Sequence, residues 1–478
     1  MPAPTLDPRR WRALAVLAVA QFVVVLDGSI MNIALPSISA DLGVPTEDLS
    51  WIINGYVLTF GGFLLLGGRL ADLLGRRRVF IAGLALFAVA SLAGGLAGSQ
   101  TQLVVARAAQ GLGAALLAPA ALSLLTTLFP PGGERNKALG VWGAVAGSGA
   151  AAGVLLGGII TDALGWEWVL FVNVPIAAGA AGLSLRLIDE SRAEAAGRSF
   201  DFAGAATVTG GLSAAVYAIV EAESAGWGST RTIAFFAIAA ALLAAFLAVE
   251  RRTASPLIPF EIFRLRTVLG ANVAMVIVAA AMFGLFFFLS IYLQVVLGYS
   301  ALEAGVAQLP LAGTLVLAAA GVSPLVTRFG SKPVLLGGLV VLAAGMVGFA
   351  QVPADGSFVA DLLGPSLLVA FGMAATFIAL TVTSVDGVSA HQYGLASGLI
   401  NTTQQIGGAL GLAILAAVAN SRTSSLLERG GDPIVALTEG FQSALLVAAG
   451  FVVAAIVLVA VLADGTEPKA AEPRPATA

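Results

Sequence analysis

Long apolar runs dominate the chain, and short segments rich in charges, glycines and prolines separate them. A bilayer hydrocarbon core of about 30 Å requires about 20 consecutive apolar residues in a helix. Runs of about that length cover residues 12–35, 49–70, 78–97, 102–126, 138–161, 167–187, 203–221, 232–250, 267–293, 301–325, 333–351, 358–383, 395–420 and 440–463. The pattern therefore predicts an all-α, polytopic membrane protein with fourteen transmembrane helices.

Composition supports membrane helices and gives no sign of a soluble domain. Of the 478 residues, 58% are hydrophobic and 11% are charged, whereas a soluble domain carries about 25% charged residues. The strict alternation of a transmembrane barrel is missing, and lipid forces backbone amides to pair within their own segment. Arg9 and Arg10 precede the first run and Arg12 begins it, as in a secretory signal, but no small-residue cleavage site follows. We therefore expect that run to be retained as helix 1.

Basic residues are distributed unevenly between the two sides that fourteen helices would create. An even number of helices places both termini on one side, and the segments of that side hold most of the lysines and arginines. The opposite loops hold only Arg231, Arg422 and Arg429. Because basic loops stay in the cytoplasm, we predict a cell-membrane protein with both termini cytoplasmic. The predicted cytoplasmic tails are residues 1–11 and the disordered segment 464–478.

A weak internal repeat indicates two related halves. Residues 68–77 read GRLADLLGRR, and residues 323–332 echo them as SPLVTRFGSK after the tenth helix. We predict an N-terminal six-helix bundle at 12–187 and a C-terminal six-helix bundle at 267–463. Two inserted helices, 7 and 8, with their flanking loops occupy 188–266.

Several classes of chemistry are excluded by the residues that are missing. Without cysteine, the chain has no disulfide or thiolate metal site, and the single His391 cannot form a histidine cluster. No continuous basic stripe suits nucleic acid, and no Gly-x-x-x-x-Gly-Lys-Ser/Thr loop suits ATP hydrolysis. We expect neither an enzyme active site nor a metal or other cofactor.

Two opposite charges lie deep in predicted helices, Asp27 in helix 1 and Arg107 in helix 4. A charge at this depth costs several kcal/mol unless it is paired or hydrated. Counted along their helices at 1.5 Å per residue, both lie about 9–12 Å below the same face. Two interpretations remain open: a static ion pair that fixes helix 1 to helix 4, or a carboxylate that takes up and releases a proton.

The segment between helices 2 and 3 combines glycines, an acid and arginines. Gly68 and Gly75 permit a tight turn, and Arg76 and Arg77 suit the headgroup region. Topology does not explain Asp72, which suits a salt-bridge latch. We predict that these five residues form a gating loop, with an ordinary loop as the alternative.

Helix 5 carries Gly149, Gly153, Gly157 and Gly158. Glycines four residues apart form one face that allows another helix to approach closely. The spacing does not decide whether this face also bends or seals during a conformational change.

Polar and aromatic residues within the predicted spans are candidates for a ligand cavity. Helix 9 has an aromatic stripe that could bind hydrophobic or cationic ligands, although lipid-facing packing is the simpler explanation. Polar residues inside spans can line a pocket or bond neighbouring helices. The cavity candidates are Gln21, Asn54, Phe287, Tyr292, Gln294 and Gln405.

These segments together resemble the fourteen-helix drug:proton antiporter branch of the major facilitator superfamily. Residues 26–36, LDGSIMNIALP, are similar to its helix 1 signature, and residues 68–78 to the superfamily's signature loop. Residues 103–113, LVVARAAQGLG, are similar to its helix 4 motif, whose arginine is implicated in proton transfer. Residues 153–158, GVLLGG, depart from the helix 5 signature because Val154 stands where that branch has proline.

The resemblance implies a secondary active transporter that exports small hydrophobic or cationic drugs or antibiotics in exchange for protons. It implies alternating access of two bundles around a mid-membrane site, with Asp27 and Arg107 coupling protons. Its partners would be a small-molecule substrate, protons and the bilayer, and we expect a monomer. One alternative keeps the fold but exports a specific metabolite, such as an amino acid, siderophore or self-made antibiotic. A membrane sensor would be expected to carry large soluble segments, and we expect only short tails.

Overall fold

The chain folds into an array of long helices. The computed structural model describes residues 8–129, 133–191, 202–253, 256, 260–388 and 393–462. The long helices are α1 (Arg10–Leu42), α2 (Ser50–Leu74), α3 (Arg76–Gly95), α4 (Gln100–Leu128), α5 (Gly133–Leu164), α6 (Trp168–Leu187), α7 (Phe202–Ala225), α8 (Thr230–Arg252), α9 (Arg266–Val296), α10 (Ala301–Phe329), α11 (Ser331–Phe349), α12 (Phe358–Val385), α13 (Tyr393–Glu428) and α14 (Pro433–Leu462). No strand occurs within those ranges, so the predicted all-α class is confirmed.

Each predicted apolar run overlaps one of these helices. The described ranges contain eleven helices long and apolar enough to cross a membrane, and three shorter apolar stretches at Ser50–Leu64, Ala152–Leu164 and Ala206–Ile219. The chain is a multi-pass membrane protein, and the number of fourteen crossings stays a prediction. His391, the predicted tail at 464–478 and most of the predicted N-terminal tail lie outside the described residues.

Three helices are irregular, and two of the irregular turns lie near residues considered below. A single residue, Val172, interrupts α6 between Trp168–Phe171 and Asn173–Leu187. The last turn of α9, Tyr292–Val296, and the first turn of α12, Phe358–Leu362, are π-helical.

Local sequence accounts for several helix ends. Gly43 ends α1 in the left-handed conformation, with φ 64°. The Ser99 side chain accepts a hydrogen bond from the backbone N–H of Gln102 and begins α4. Ser300 and Glu303 form a reciprocal capping box at the start of α10. These caps fix where the spans begin and end.

Helices α1–α6 pack mainly against one another, and so do α9–α14. In the first group α4 packs on α2 and α3, while α1 packs on α5 and α6. In the second group α9 packs on α13 and α14, and α11 packs on α12. The groups meet where α5 contacts α10 and α2 contacts α13. Helices α7 and α8 form a pair, and α7 lies against α2 and α13.

The two ends of the array differ in charge and in contacts. We call the end at which α1 and α3 begin the basic end, because Arg10 and the run 76–78 lie there. Towards the other end, which we call the far end, Ser290 and Gln294 of α9 bond to backbone oxygens of α1. Gly158 of α5 also packs against the start of α10 there. These contacts hold the two groups together at the far end.

Candidate functional site

Asp27 and Arg107 form a buried ion pair between α1 and α4. The Arg107 Nη1 atom lies 2.5 Å from Asp27 Oδ2. The Arg107 side chain is 1% exposed and the Asp27 side chain is 0% exposed. Removing two charges from water carries a large desolvation cost, which only good geometry and further hydrogen bonds can offset. The structure thus brings together the two charges that the sequence placed at one depth.

Further polar groups from α4, α6 and α3 surround the pair. Asp27 Oδ1 accepts hydrogen bonds from Gln110 Nε2 at 2.6 Å and from Asn173 Nδ2 at 2.8 Å. The same Gln110 nitrogen donates to Ser91 Oγ at 2.8 Å. Gln110 Oε1 accepts from Arg107 Nη1 at 2.6 Å. The Asp27 carboxylate therefore accepts three hydrogen bonds in all.

Helix α2 holds the other side of the guanidinium. Arg107 Nε donates to the backbone oxygen of Ile52 at 3.3 Å. The guanidinium carbon lies 4.4 Å from the centre of the Tyr56 ring, which is a cation–π distance. Five helices, α1, α2, α3, α4 and α6, therefore meet at this pair, and all of them belong to the first group.

The sequence did not single out the amides of this network. Gln110 lies three residues after Arg107 on α4, so helical spacing could have placed both side chains on one face. Asn173 lies within the apolar run of α6 and carried no comparable signal. Both side chains are fully buried in the structure.

The predicted gating loop is shorter than expected. Helix α2 continues to Leu74, so Gly68 and Asp72 lie within a helix and the turn is made at Gly75, with φ 115°. Gly68 packs near Pro119 of α4. The side chain of Asp72 lies outside the described part of the chain.

The turn at Gly75 is bound by the segment that follows α6. Glu190 accepts hydrogen bonds from the backbone N–H groups of Arg77 at 3.1 Å and Arg78 at 3.2 Å. A negatively charged carboxylate near a helix N-terminus interacts favourably with the positive end of the helix dipole. The backbone at Gly75 has φ 115°, which other residues rarely adopt, and a Cβ there would also lie 2.6 Å from the Glu190 carboxylate.

The two predicted loop arginines have separate partners. Arg76 Nη1 donates to Thr127 Oγ1 on α4 at 2.5 Å. Arg77 Nη1 donates to the backbone oxygen of Ile188 at 3.0 Å. The arginines thus connect the start of α3 to α4 and to the end of α6.

A second ion pair joins α1 to α5 at the basic end. Arg10 donates to both carboxylate oxygens of Glu134, at 2.9 and 3.1 Å. These hydrogen bonds lower the pKa of the Glu134 carboxyl below its ordinary value. The carboxyl is therefore ionised, and the bond intact, throughout the neutral range.

The glycines of α5 lie against two different helices. Gly149, Gly153 and Gly157 approach α1, and a Cβ at Gly153 would lie 2.9 Å from the Leu26 backbone oxygen. Gly158 instead faces α10, where a Cβ would lie 2.5 Å from the Ala301 backbone oxygen.

Val154, at the position of the missing proline, lies in the same contact region. Its side chain is buried with Ile33 of α1 and Ala301 of α10. Helix α5 therefore packs closely against both groups along this stretch.

The cavity candidates do not converge on one site. Gln294 Nε2 donates to the Ile33 backbone oxygen at 3.0 Å, and Tyr292 donates to the Pro353 backbone oxygen at 2.5 Å. The remaining candidates are dispersed: Phe287 is buried against Phe288, Gln405 lies against Gly61, Asn54 is fully buried in α2, and Gln21 is half-buried in α1. Gln294 and Tyr292 bond neighbouring segments, and a role of these six residues in a substrate cavity stays a prediction.

A pocket does occur elsewhere, between α9, α11, α12 and α14. Tyr292, Phe288, Phe441 and Gln442 are among its lining residues. It lies within the second group.

Comparison with known proteins agrees with this architecture. The Major Facilitator Superfamily profile matches residues 17–412. The chain is 42% identical to the puromycin resistance protein pur8 of Streptomyces alboniger, over 96% of this chain and 91% of that protein. It is also 42% identical to the cephamycin export protein CmcT of Amycolatopsis lactamdurans, over 89% of each chain.

A solved structure shares the fold at much lower sequence identity. An auto-inhibited peptide transporter of the POT family aligns with a TM-score of 0.70 at 17% identity, covering 96% of this chain and 98% of that one. The profile spans most of the residues described above, including Asp27, Arg107, Gln110 and Asn173. The chain therefore belongs to the Major Facilitator Superfamily of membrane transporters.

Proposed function

We propose that this transporter exports small hydrophobic or cationic compounds, antibiotics among them, across the cytoplasmic membrane in exchange for protons. Relatives that are 42% identical are named for puromycin resistance and for cephamycin export. The buried Asp27–Arg107 pair is the observation that supports proton coupling, because the Asp27 carboxyl is a titratable group that is isolated from bulk water. The proton gradient supplies the energy for transport, so the proposed mechanism uses no cofactor.

Protonation of Asp27 changes the charge of the buried network from neutral to positive. The carboxylate then no longer compensates the Arg107 guanidinium, and an uncompensated charge in this setting is strongly unfavourable. Arg107 must gain another partner or water, and α1 must move relative to α4 for either to occur. Proton binding therefore drives a rearrangement of the first group.

Helix α1 can transmit that rearrangement to the far end. It carries Asp27 and, further along, the Asn32 and Ile33 backbone oxygens to which α9 is bonded. Displacement of α1 would weaken these bonds and allow α1–α6 to separate there from α9–α14. We assign the substrate site to the space between these two six-helix groups, with α7 and α8 as an inserted pair.

The charge distribution supports an orientation for this cycle. The basic end faces the cytoplasm, as do both termini, because basic segments are retained on that side. The far-end contacts then close the outer side. The turn at Gly75 serves as the cytoplasmic gate, and one copy of the chain completes the cycle.

A second candidate function is export of one specific natural product. Two of the relatives carry the name of a single antibiotic, puromycin or cephamycin. Resistance profiling against a broad compound panel separates the two functions. Protection against a single structural class supports the specific exporter, whereas protection against unrelated classes supports multidrug export.

The test of proton coupling is transport by the Asp27→Asn variant in proteoliposomes with an imposed pH gradient. We expect the variant to lose gradient-driven transport while retaining substrate-for-substrate counterflow. Asp41→Asn is the matched control, because Asp41 is an exposed carboxylate on the same helix and bonds to Trp166. Gradient-driven transport by Asp27→Asn at the wild-type rate would remove Asp27 from the coupling step.

A further inference from the structure

Asn173 differs from the other residues that contact Asp27 in having an unused polar atom. Its Nδ2 donates to Asp27 Oδ1 at 2.8 Å, but its buried Oδ1 has no hydrogen-bond partner among the described residues. A buried amide oxygen without a partner is costly, so its retention beside a titratable carboxylate calls for an explanation.

Gln110 is held in one orientation by all of its contacts. Its Oε1 accepts from Arg107, and its Nε2 donates to both Asp27 and Ser91. Rotation of this amide by 180° would turn its N–H groups towards the Arg107 donor. Gln110 can therefore donate to the Asp27 carboxylate but cannot accept from a protonated carboxyl without a donor–donor clash.

Asn173 has no such restriction. Rotation of its amide exchanges Nδ2 for Oδ1 and breaks only the bond to Asp27, since the structure gives Oδ1 no partner. A protonated carboxyl has an O–H donor that requires an acceptor when buried. The amide oxygen of Asn173 is the acceptor that is available without breaking another bond of the network.

We propose that Asn173 is a positioning residue for proton coupling: its Nδ2 donates to charged Asp27, and its Oδ1 accepts from protonated Asp27. This inference rests on the proposed function, in which Asp27 is the group that binds the proton. The proton forms one O–H bond on the carboxyl, and the amide rotates without itself gaining or losing a proton.

The titratable groups around Asp27 are few. Arg107 faces it from α4, and Tyr56, which lies under the guanidinium, belongs to α2. The charged residues of α5, α6, α9 and α10 fall near the ends of those helices. Asn173 therefore acts on a carboxyl whose only close charged neighbour is Arg107 in the described structure.

Removal of the Asn173 amide has opposite expected effects under the two possible roles. Both forms of Asp27 would lose one hydrogen bond, but the charged form would keep two donors, Arg107 and Gln110, whereas the protonated form would lose its only acceptor and would be destabilised more. Protonation would then become harder, and the pH of half-maximal proton-driven transport would fall. If Asn173 only donated to the carboxylate, its removal would destabilise the charged form and this pH would rise.

The experiment measures transport against pH in proteoliposomes for wild type, Asn173→Leu and the control Asn272→Leu, which removes a buried amide from the second group. We expect Asn173→Leu to move the half-maximal pH to more acidic values by about one unit, a tenfold change in proton affinity. Asn272→Leu should leave this pH unchanged, and both variants should retain counterflow. An unchanged or more alkaline value for Asn173→Leu would overturn the proposal.

Infrared difference spectroscopy provides a second readout, which does not depend on transport activity. With ¹³C-labelled asparagine side chains, acidification should alter an amide carbonyl band in wild type but not in Asp27→Asn, and Asn173→Leu should lack that band. Appearance of a protonated Asp27 band without any amide change would contradict the proposal. Absence of proton-driven transport in wild type would instead overturn the proposed function, and the infrared result would still decide the role of Asn173.

Discussion

The Ser290 hydroxyl of α9 donates a hydrogen bond to the backbone oxygen of Asn32 of α1 at 2.5 Å. The bond joins the two helix groups on the helix that also carries Asp27, beyond that residue towards the far end. Gln294 strengthens the same contact, since its Nε2 lies 3.0 Å from the Ile33 oxygen and 3.2 Å from Ser290 Oγ. Helix α1 therefore carries both the Asp27 carboxylate and the backbone oxygens to which α9 is bonded at the far end.

Loss of these bonds should open the far end. In a Ser290→Ala/Gln294→Ala variant we expect a cysteine introduced at Asn32 to react roughly 30-fold faster with a membrane-impermeant thiol reagent. The estimate follows because each hydrogen bond contributes about 1 kcal/mol to the closed state. The chain has no cysteine of its own, so the thiol reagent labels the introduced cysteine without background labelling of native cysteines.

Gln351→Ala is the control for this experiment, because Gln351 is exposed and bonds only within its own helix region, to the Val347 oxygen. Equal labelling of the double variant and the control would show that these bonds do not hold the far end closed.

Gly305 of α10 should tolerate no side chain. A Cβ at this position would lie 2.7 Å from the Val154 backbone oxygen of α5, so Gly305→Val must force the two helices apart. Overpacking of this kind costs about 1–3 kcal/mol, and we expect transport to fall about 5- to 140-fold, because each 1.4 kcal/mol corresponds to a factor of ten. Efflux assays at matched expression measure the effect.

Gly313→Val on the same helix is its matched control, because a Cβ at Gly313 meets nothing within 4 Å. Gly313→Val changes helix propensity as Gly305→Val does, but its side chain meets no neighbouring helix. If both variants transported equally well, close approach of α5 and α10 would not be required.

Glu190 should stabilise the start of α3. In Glu190→Ala the backbone N–H groups of Arg77 and Arg78 lose their acceptor, which costs about 1 kcal/mol for a helix N-terminus. We expect a lower midpoint of thermal unfolding for the purified protein in detergent. Asp189→Ala, which changes the exposed neighbouring acid, should leave the midpoint close to that of wild type, and an equal decrease in both variants would contradict the role of Glu190.

The sequence by itself determined the helical class, the positions of the apolar runs and the depth of the two buried charges. These properties are local, because a bilayer sets the length of an apolar helix and makes any charge within it conspicuous. Their matching depth made an ion pair between Asp27 and Arg107 possible, and the structure shows that the two side chains meet. The glycine spacing of α5 likewise predicted a close helix contact.

Only the tertiary structure decided which helix covers each face. It assigned Gly158 to α10 and the other three glycines to α1, and it made Glu190 the partner of the turn at Gly75. It also brought Asn173 of α6 to Asp27. Helical periodicity defines the faces of a helix but not its neighbours, because those depend on how distant segments pack together.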